Sequence, residues 1–190
     1  MKKLLLSSLA AATLAVGSNA QVIIGSEDGS QYSTATWTNG APGVLSTWYI
    51  NSGTGAINNI SDSTQNGRTS IGGQAFFILG GPSTTYIDVY KGLGGSLASG
   101  QSFSLDANYS WNAGTRVIAI EEAFGAGLLF QFEHGGDDSL RFVVGATTNT
   151  VLANAFNQAL TYNVAYLNAS QVAVSASLFG SGTPLFTTNL

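Results

Sequence analysis

The chain has 190 residues, of which 44% are apolar and only 8% charged, with no cysteine and a formal charge of −4. That length holds one domain with a real core, and so high an apolar fraction excludes a disordered chain. The acidic balance excludes a nucleic-acid or anionic-membrane surface, and the missing cysteines exclude disulfides and thiolate metal sites.

The N-terminus reads as a secretory signal peptide over residues 1–20. Lys2 and Lys3 give the basic start, Leu4 to Val16 the apolar run, and Ser18-Asn19-Ala20 the small-x-small cleavage site. The run is thirteen residues, against the roughly 20 that a spanning helix needs. Cleavage leaves residues 21–190, with four basic side chains against ten carboxylates and a formal charge of −6. No later apolar run approaches membrane length, so no membrane insertion is expected after cleavage, and localisation is secreted, extracellular or at the outer cell surface.

Beyond the leader, 24 glycines punctuate short segments rich in Val, Ile, Thr, Phe and Tyr. Many alternate polar with apolar residues, which predicts an all-β, antiparallel two-sheet β-sandwich of jelly-roll type in a single domain over 21–190. Strands are predicted at residues 32–37, 45–50, 74–79, 85–93, 101–109, 115–122, 128–133, 139–145, 161–167 and 171–179. The polar stretch 58–73 reads as loop, 149–160 as the one place for a short helix, and 183–190 as an extended strand.

Hairpin arithmetic supplies the register. A loop at 123–127 sets Ile118 opposite Phe132 and Ile120 opposite Phe130, and a loop at 134–138 sets Phe132 opposite Leu140 and Phe130 opposite Phe142. One face then stays apolar through three strands, predicting a core of Ile118, Ile120, Phe130, Phe132, Leu140 and Phe142 against a second sheet. A loop at 168–170 sets Val164 opposite Val174 and Tyr166 opposite Val172.

Carboxylates invite a glycosidase reading at Glu121, Glu122 and Glu133. Adjacent residues of a strand point to opposite faces, so Glu121 and Glu122 cannot act on one sugar. Glu133 pairs opposite Val117, four residues from Glu121 or about 13 Å, whereas glycosidases hold their two carboxyls about 5 to 9.5 Å apart. Glu133 is expected to pair with Arg141 instead, and the chain reads as a non-enzyme.

The loop His134-Gly-Gly-Asp137-Asp138 offers a calcium site through Asp137 and Asp138, although its spacing matches no dedicated calcium loop and a solvated acidic turn is the simpler reading. No cofactor is otherwise expected. The sole histidine has no serine or cysteine motif around it, so nucleophilic catalysis has no support.

Aromatic residues are the remaining candidates, because sugar rings stack on flat indole and phenol faces. Trp37, Trp48, Tyr49 and Trp111 are available for this, Trp48 as a ligand contact in particular. In Tyr86-Ile-Asp-Val-Tyr90 the alternation sends Tyr86, Asp88 and Tyr90 to one face, two tyrosines flanking a carboxylate. That face is the predicted ligand platform.

The segments Trp37-Thr-Asn-Gly40, Trp48 with Ile50, Ser70-Ile-Gly-Gly-Gln-Ala-Phe-Phe77 and Leu97-Ala-Ser-Gly-Gln-Ser-Phe-Ser-Leu105 resemble an exported bacterial β-sandwich module. This module is similar to concanavalin-like domains and is found in surface proteins that often end in a PEP-CTERM sorting anchor. The resemblance spans about residues 32–179 and implies export for binding or scaffolding, with no catalytic residues carried over. No Pro-Glu-Pro motif, apolar helix and basic tail follow Leu190, a departure that points to release or to truncation. The expected function is thus a secreted or cell-surface module that binds glycan or surface polysaccharide. The alternatives are a structural or adhesive matrix protein that self-associates and, behind both, a glycoside hydrolase.

Overall fold

Polar and apolar residues alternate along Ser102-Phe-Ser-Leu-Asp-Ala-Asn108, and a period of two can bury only one face of an extended chain. In a computed structural model this alternation becomes sheet almost throughout. The structure describes residues 29–33, 36–43, 46–53, 57–62, 71, 73–79, 87–92, 97–109, 114–121 and 127–190. Residues 1–20, where a signal peptide is expected, and Tyr86, Trp111 and Glu122 lie outside them.

In chain order a short 3₁₀ turn, Gly29–Gln31, is followed by β1 (Trp48–Ser52), β2 (Ile57–Asp62), β3 (Gln74–Leu79), β4 (Ile87–Lys91), β5 (Ser102–Asn108) and β6 (Arg116–Glu121). Then come β7 (Leu128–His134), β8 (Leu140–Val144), β9 (Thr147–Leu152), β10 (Ala159–Asn168), β11 (Gln171–Leu178) and β12 (Pro184–Asn189). Two four-stranded antiparallel sheets, β6-β7-β8-β9 and β12-β11-β10-β5, pack face to face as a β-sandwich. Two smaller antiparallel pairs, β1-β4 and β2-β3, precede them.

The core lies between the large sheets. Phe130, Phe132, Leu140 and Phe142 project from β7 and β8 onto Leu160, Tyr162, Val164, Val174 and Ala176 of β10 and β11, with Ile118 and Ile120 half-buried at the margin. Aromatic rings interlock across the gap, Phe132 lying 4.7 Å from Tyr162 and Phe142 4.9 Å from Phe186. Offset and tilted pairs of this kind add to the burial of apolar area.

The predicted pairings of Ile118 with Phe132, Ile120 with Phe130, Val164 with Val174 and Tyr166 with Val172 all occur. The β7–β8 register differs from expectation by two residues: Phe132 faces Phe142, and His134 faces Leu140. A shift of two keeps every side chain on its predicted face, so the core composition is unchanged. The loop closes at Gly135 rather than His134 because the Gly135 amide donates to the Ser139 carbonyl and Asp138 takes a φ of +62°.

Three local expectations fail for identifiable reasons. None of the described residues of 32–37 is in a strand: the Thr36 and Trp37 amides both donate to the Ser33 carbonyl, an arrangement a strand does not make. The stretch 58–73 contains most of β2, whose polar side chains obscured a strand that pairs along its whole length with β3. No helix forms over 149–160, because Gly145-Ala146 turns the chain into β9 against β8 and Asn157, with φ of +56°, interrupts any helical path before β10.

Candidate functional site

Strand β1 pairs with β4 so that Tyr49 faces Tyr90 and Asn51 faces Asp88. Alternation therefore collects Tyr49, Asn51, Asp88 and Tyr90 on one face of the pair. Tyr49 and Asn51 are exposed, Asp88 and Tyr90 half-buried. The two phenol rings stand 6.1 Å apart, tilted by 58°. Burial first, then the negative charges of Asp88 and Glu121 and the phenol of Tyr49, raise the Tyr90 pKa, so its hydroxyl stays neutral and able to donate at physiological pH.

This patch offers two aromatic faces beside an amide and a carboxylate, which together donate and accept hydrogen bonds. Asp88 and Tyr90 share it as predicted, while Tyr86 lies outside the described residues. Tyr49 and Asn51 are the residues that sequence reading left out of the patch. Their signal was present in Trp48-Tyr-Ile-Asn51, whose alternation separates Tyr49 and Asn51 from Trp48 and Ile50.

Trp48 belongs to the opposite face. Its ring packs edge-on to Trp37 at 5.7 Å and against Phe76 at 4.7 Å, and its Nε1 donates to the Tyr32 hydroxyl at 3.2 Å. The Tyr32 hydroxyl donates in turn to the Pro42 carbonyl at 3.0 Å. The Lys91 ammonium sits 4.4 Å from the Trp48 ring centre and donates to the Ser46 carbonyl at 3.2 Å. Trp37 is fully buried in this cluster. These indoles pack on the side of β1 that faces away from the patch.

The acidic loop is arranged differently. Asp137 accepts from the Ser139 hydroxyl at 2.7 Å and from the Ser139 amide, and it forms an ion pair with Arg141. Hydrogen bonds from Ser139 hold the Asp137 carboxyl below its usual range, with Arg141 adding to the effect. Arg141 also reaches Glu133, its cross-strand partner, at 3.6 Å. A cation bound by Asp137 would therefore compete with Arg141 and Ser139. Among the described residues no three His, Asp or Glu side chains converge as a metal site.

Behind that loop His134 is fully buried, and its ring stacks on Tyr109 at 4.7 Å with only 5° between the planes. Neither ring nitrogen has a hydrogen-bond partner, and the buried Asp138 Oδ1 has none either. Burial, with Arg116 second, pushes the His134 pKa down, while Asp138, the Ala155 backbone and Asp137 offset part of that shift. The connector after β9 covers the ring, the Ala155 amide donating to the Asp138 carbonyl at 2.7 Å and the Asn157 amide to the Tyr109 carbonyl at 3.0 Å. His134 is a packed core residue rather than an open one.

Glu121 and Glu133 remain apart. Val117 faces Glu133, and Glu121 lies four residues along β6, beyond a register shift at Ile120. Comparison with known protein families, curated proteins and solved structures finds no match to this chain.

Proposed function

We propose that this chain is an exported, non-catalytic carbohydrate-binding protein whose glycan site is the Tyr49, Asn51, Asp88 and Tyr90 face of β1 and β4. The observation that carries the reading is the cross-strand Tyr49–Tyr90 pair flanked by the Asn51–Asp88 pair. Sugars present apolar C–H faces and polar hydroxyl rims, and this patch is complementary to both. Export is supported by the leader at residues 1–20.

The reading uses no metal, since the Asp137 carboxylate is already engaged by Arg141 and Ser139. The non-catalytic part of the reading is supported by the separation of Glu121 and Glu133, about 13 Å along the strand, which is more than a glycosidase pair spans.

The test is a polysaccharide array followed by calorimetry on the mature protein. Tyr49→Ala and Tyr90→Ala should each weaken binding by roughly tenfold, the effect of losing about 1.4 kcal/mol. Trp48→Phe, on the opposite face, should leave the affinity of the folded protein unchanged. A folded protein that binds no glycan, or binds equally well without both tyrosines, would falsify the proposal.

A second reading, a structural or adhesive matrix protein, is favoured by one observation, the uncharged outer strand Thr147–Leu152 of the sandwich.

A further inference from the structure

The two large sheets have four edges, and three carry features that discourage pairing with another chain. Strand β6 has Arg116 and Glu121 at its ends, β5 contains Asp106, and β12 begins with Pro184, which has no amide to donate. Strand β9, Thr147-Thr-Asn-Thr-Val-Leu152, has no charge, proline or glycine, and its one register shift against β8 falls at Val151, outside the stretch Thr147 to Thr150. Residues 147–150 are exposed, and among the described residues β9 has β8 on one side and no strand on the other. Amides and carbonyls on that outer side are ready to extend a ladder.

We propose that β9 pairs antiparallel with β9 of a second copy of this chain, joining two four-stranded sheets into one of eight. A two-fold axis through Asn149 would set Thr148 opposite Thr150 of the second copy, and the reverse, giving two threonine pairs of the kind favoured across strands. A self-pairing strand meets its own charges, so the lack of any charge in β9 suits a second copy better than a charged partner. Strand β12 of the opposite sheet packs near β9. This inference stands apart from the glycan reading, because β9 belongs to a different sheet from β1 and β4.

The experiment is sedimentation velocity over a concentration series on the mature chain. The natural sequence should show a concentration-dependent dimer. The double variant Thr148→Lys with Thr150→Lys would place like charges opposite each other twice, and its self-association should weaken by roughly tenfold or more. The counterpart, Thr148→Glu with Thr150→Glu, should also be monomeric, and a mixture of the two should recover a mixed dimer. Circular dichroism on each variant checks that these exposed substitutions leave the fold intact. A natural chain that stays monomeric, a lysine variant that still dimerises, or a mixture that recovers nothing would each overturn the proposal. Glycan binding measured on the monomeric lysine variant reports separately on the tyrosine patch.

Discussion

His134 shows how much one buried side chain can bias the molecule. The ring is fully buried against Tyr109, and adding a proton would place a second cation near Arg116 with little water to solvate it. The unfolded chain takes that proton near pH 6.5, while the folded chain takes it only at a lower pH. Between those values the unfolded state binds more protons, so stability falls as pH drops below about 6.5 and levels off under the folded pKa. Thermal unfolding followed from pH 7.5 to 5.5 should show a declining Tm, and His134→Phe, which keeps a flat ring on Tyr109, should flatten that slope. An unchanged slope in the variant would assign the acid sensitivity to the carboxylates. The sequence identified the histidine but read its loop as a solvated turn, because burial by the connector after β9 depends on contacts remote in the chain.

At the scale of elements, hairpins set the faces. The β8–β9 hairpin turns on Gly145 and Ala146, with Gly145 at a φ of +55°. Open space surrounds the position of an added Cβ, so a substitution there is disfavoured by the backbone alone. Gly145→Ala should cost about 1 kcal/mol, and Gly145→Asn less, since asparagine tolerates that region better. Chemical denaturation of the pair measures the difference, and equal costs would count against a purely conformational origin. The register of β6 with β7 and of β10 with β11 was legible because the loops expected at 123–127 and 168–170 set apolar residues opposite one another, and those pairings occur. The β7–β8 register was not, since two alignments that differ by two residues bury the same faces, and the Gly135–Ser139 hydrogen bond chooses between them.

At the scale of the whole molecule, the two sheets are joined by aromatic rings that include phenols as well as Phe side chains. Tyr109 is held at a pKa of about 12 by burial, and Tyr162, 3.5 Å from it through the hydroxyls, is raised well above its ordinary value for the same reason. Both are neutral in the fold, so the stability they contribute is intact below pH 10 and is lost as pH rises through the folded values. Phenolate absorbance should therefore lag behind the exposed tyrosines and then rise together with unfolding between about pH 10 and 12. A smooth titration of all tyrosines with the fold intact would contradict this. The sequence by itself determined an all-β chain, the six residues of one core face and the sharing of a face by Asp88 and Tyr90, because alternation within a strand is a local property. Only the tertiary structure decided that Tyr49 and Asn51 complete that patch, that Trp48 backs it from the other side, that His134 is enclosed and that β9 ends its sheet. Each of these depends on which strands become neighbours, and that is set by packing between segments far apart in the chain.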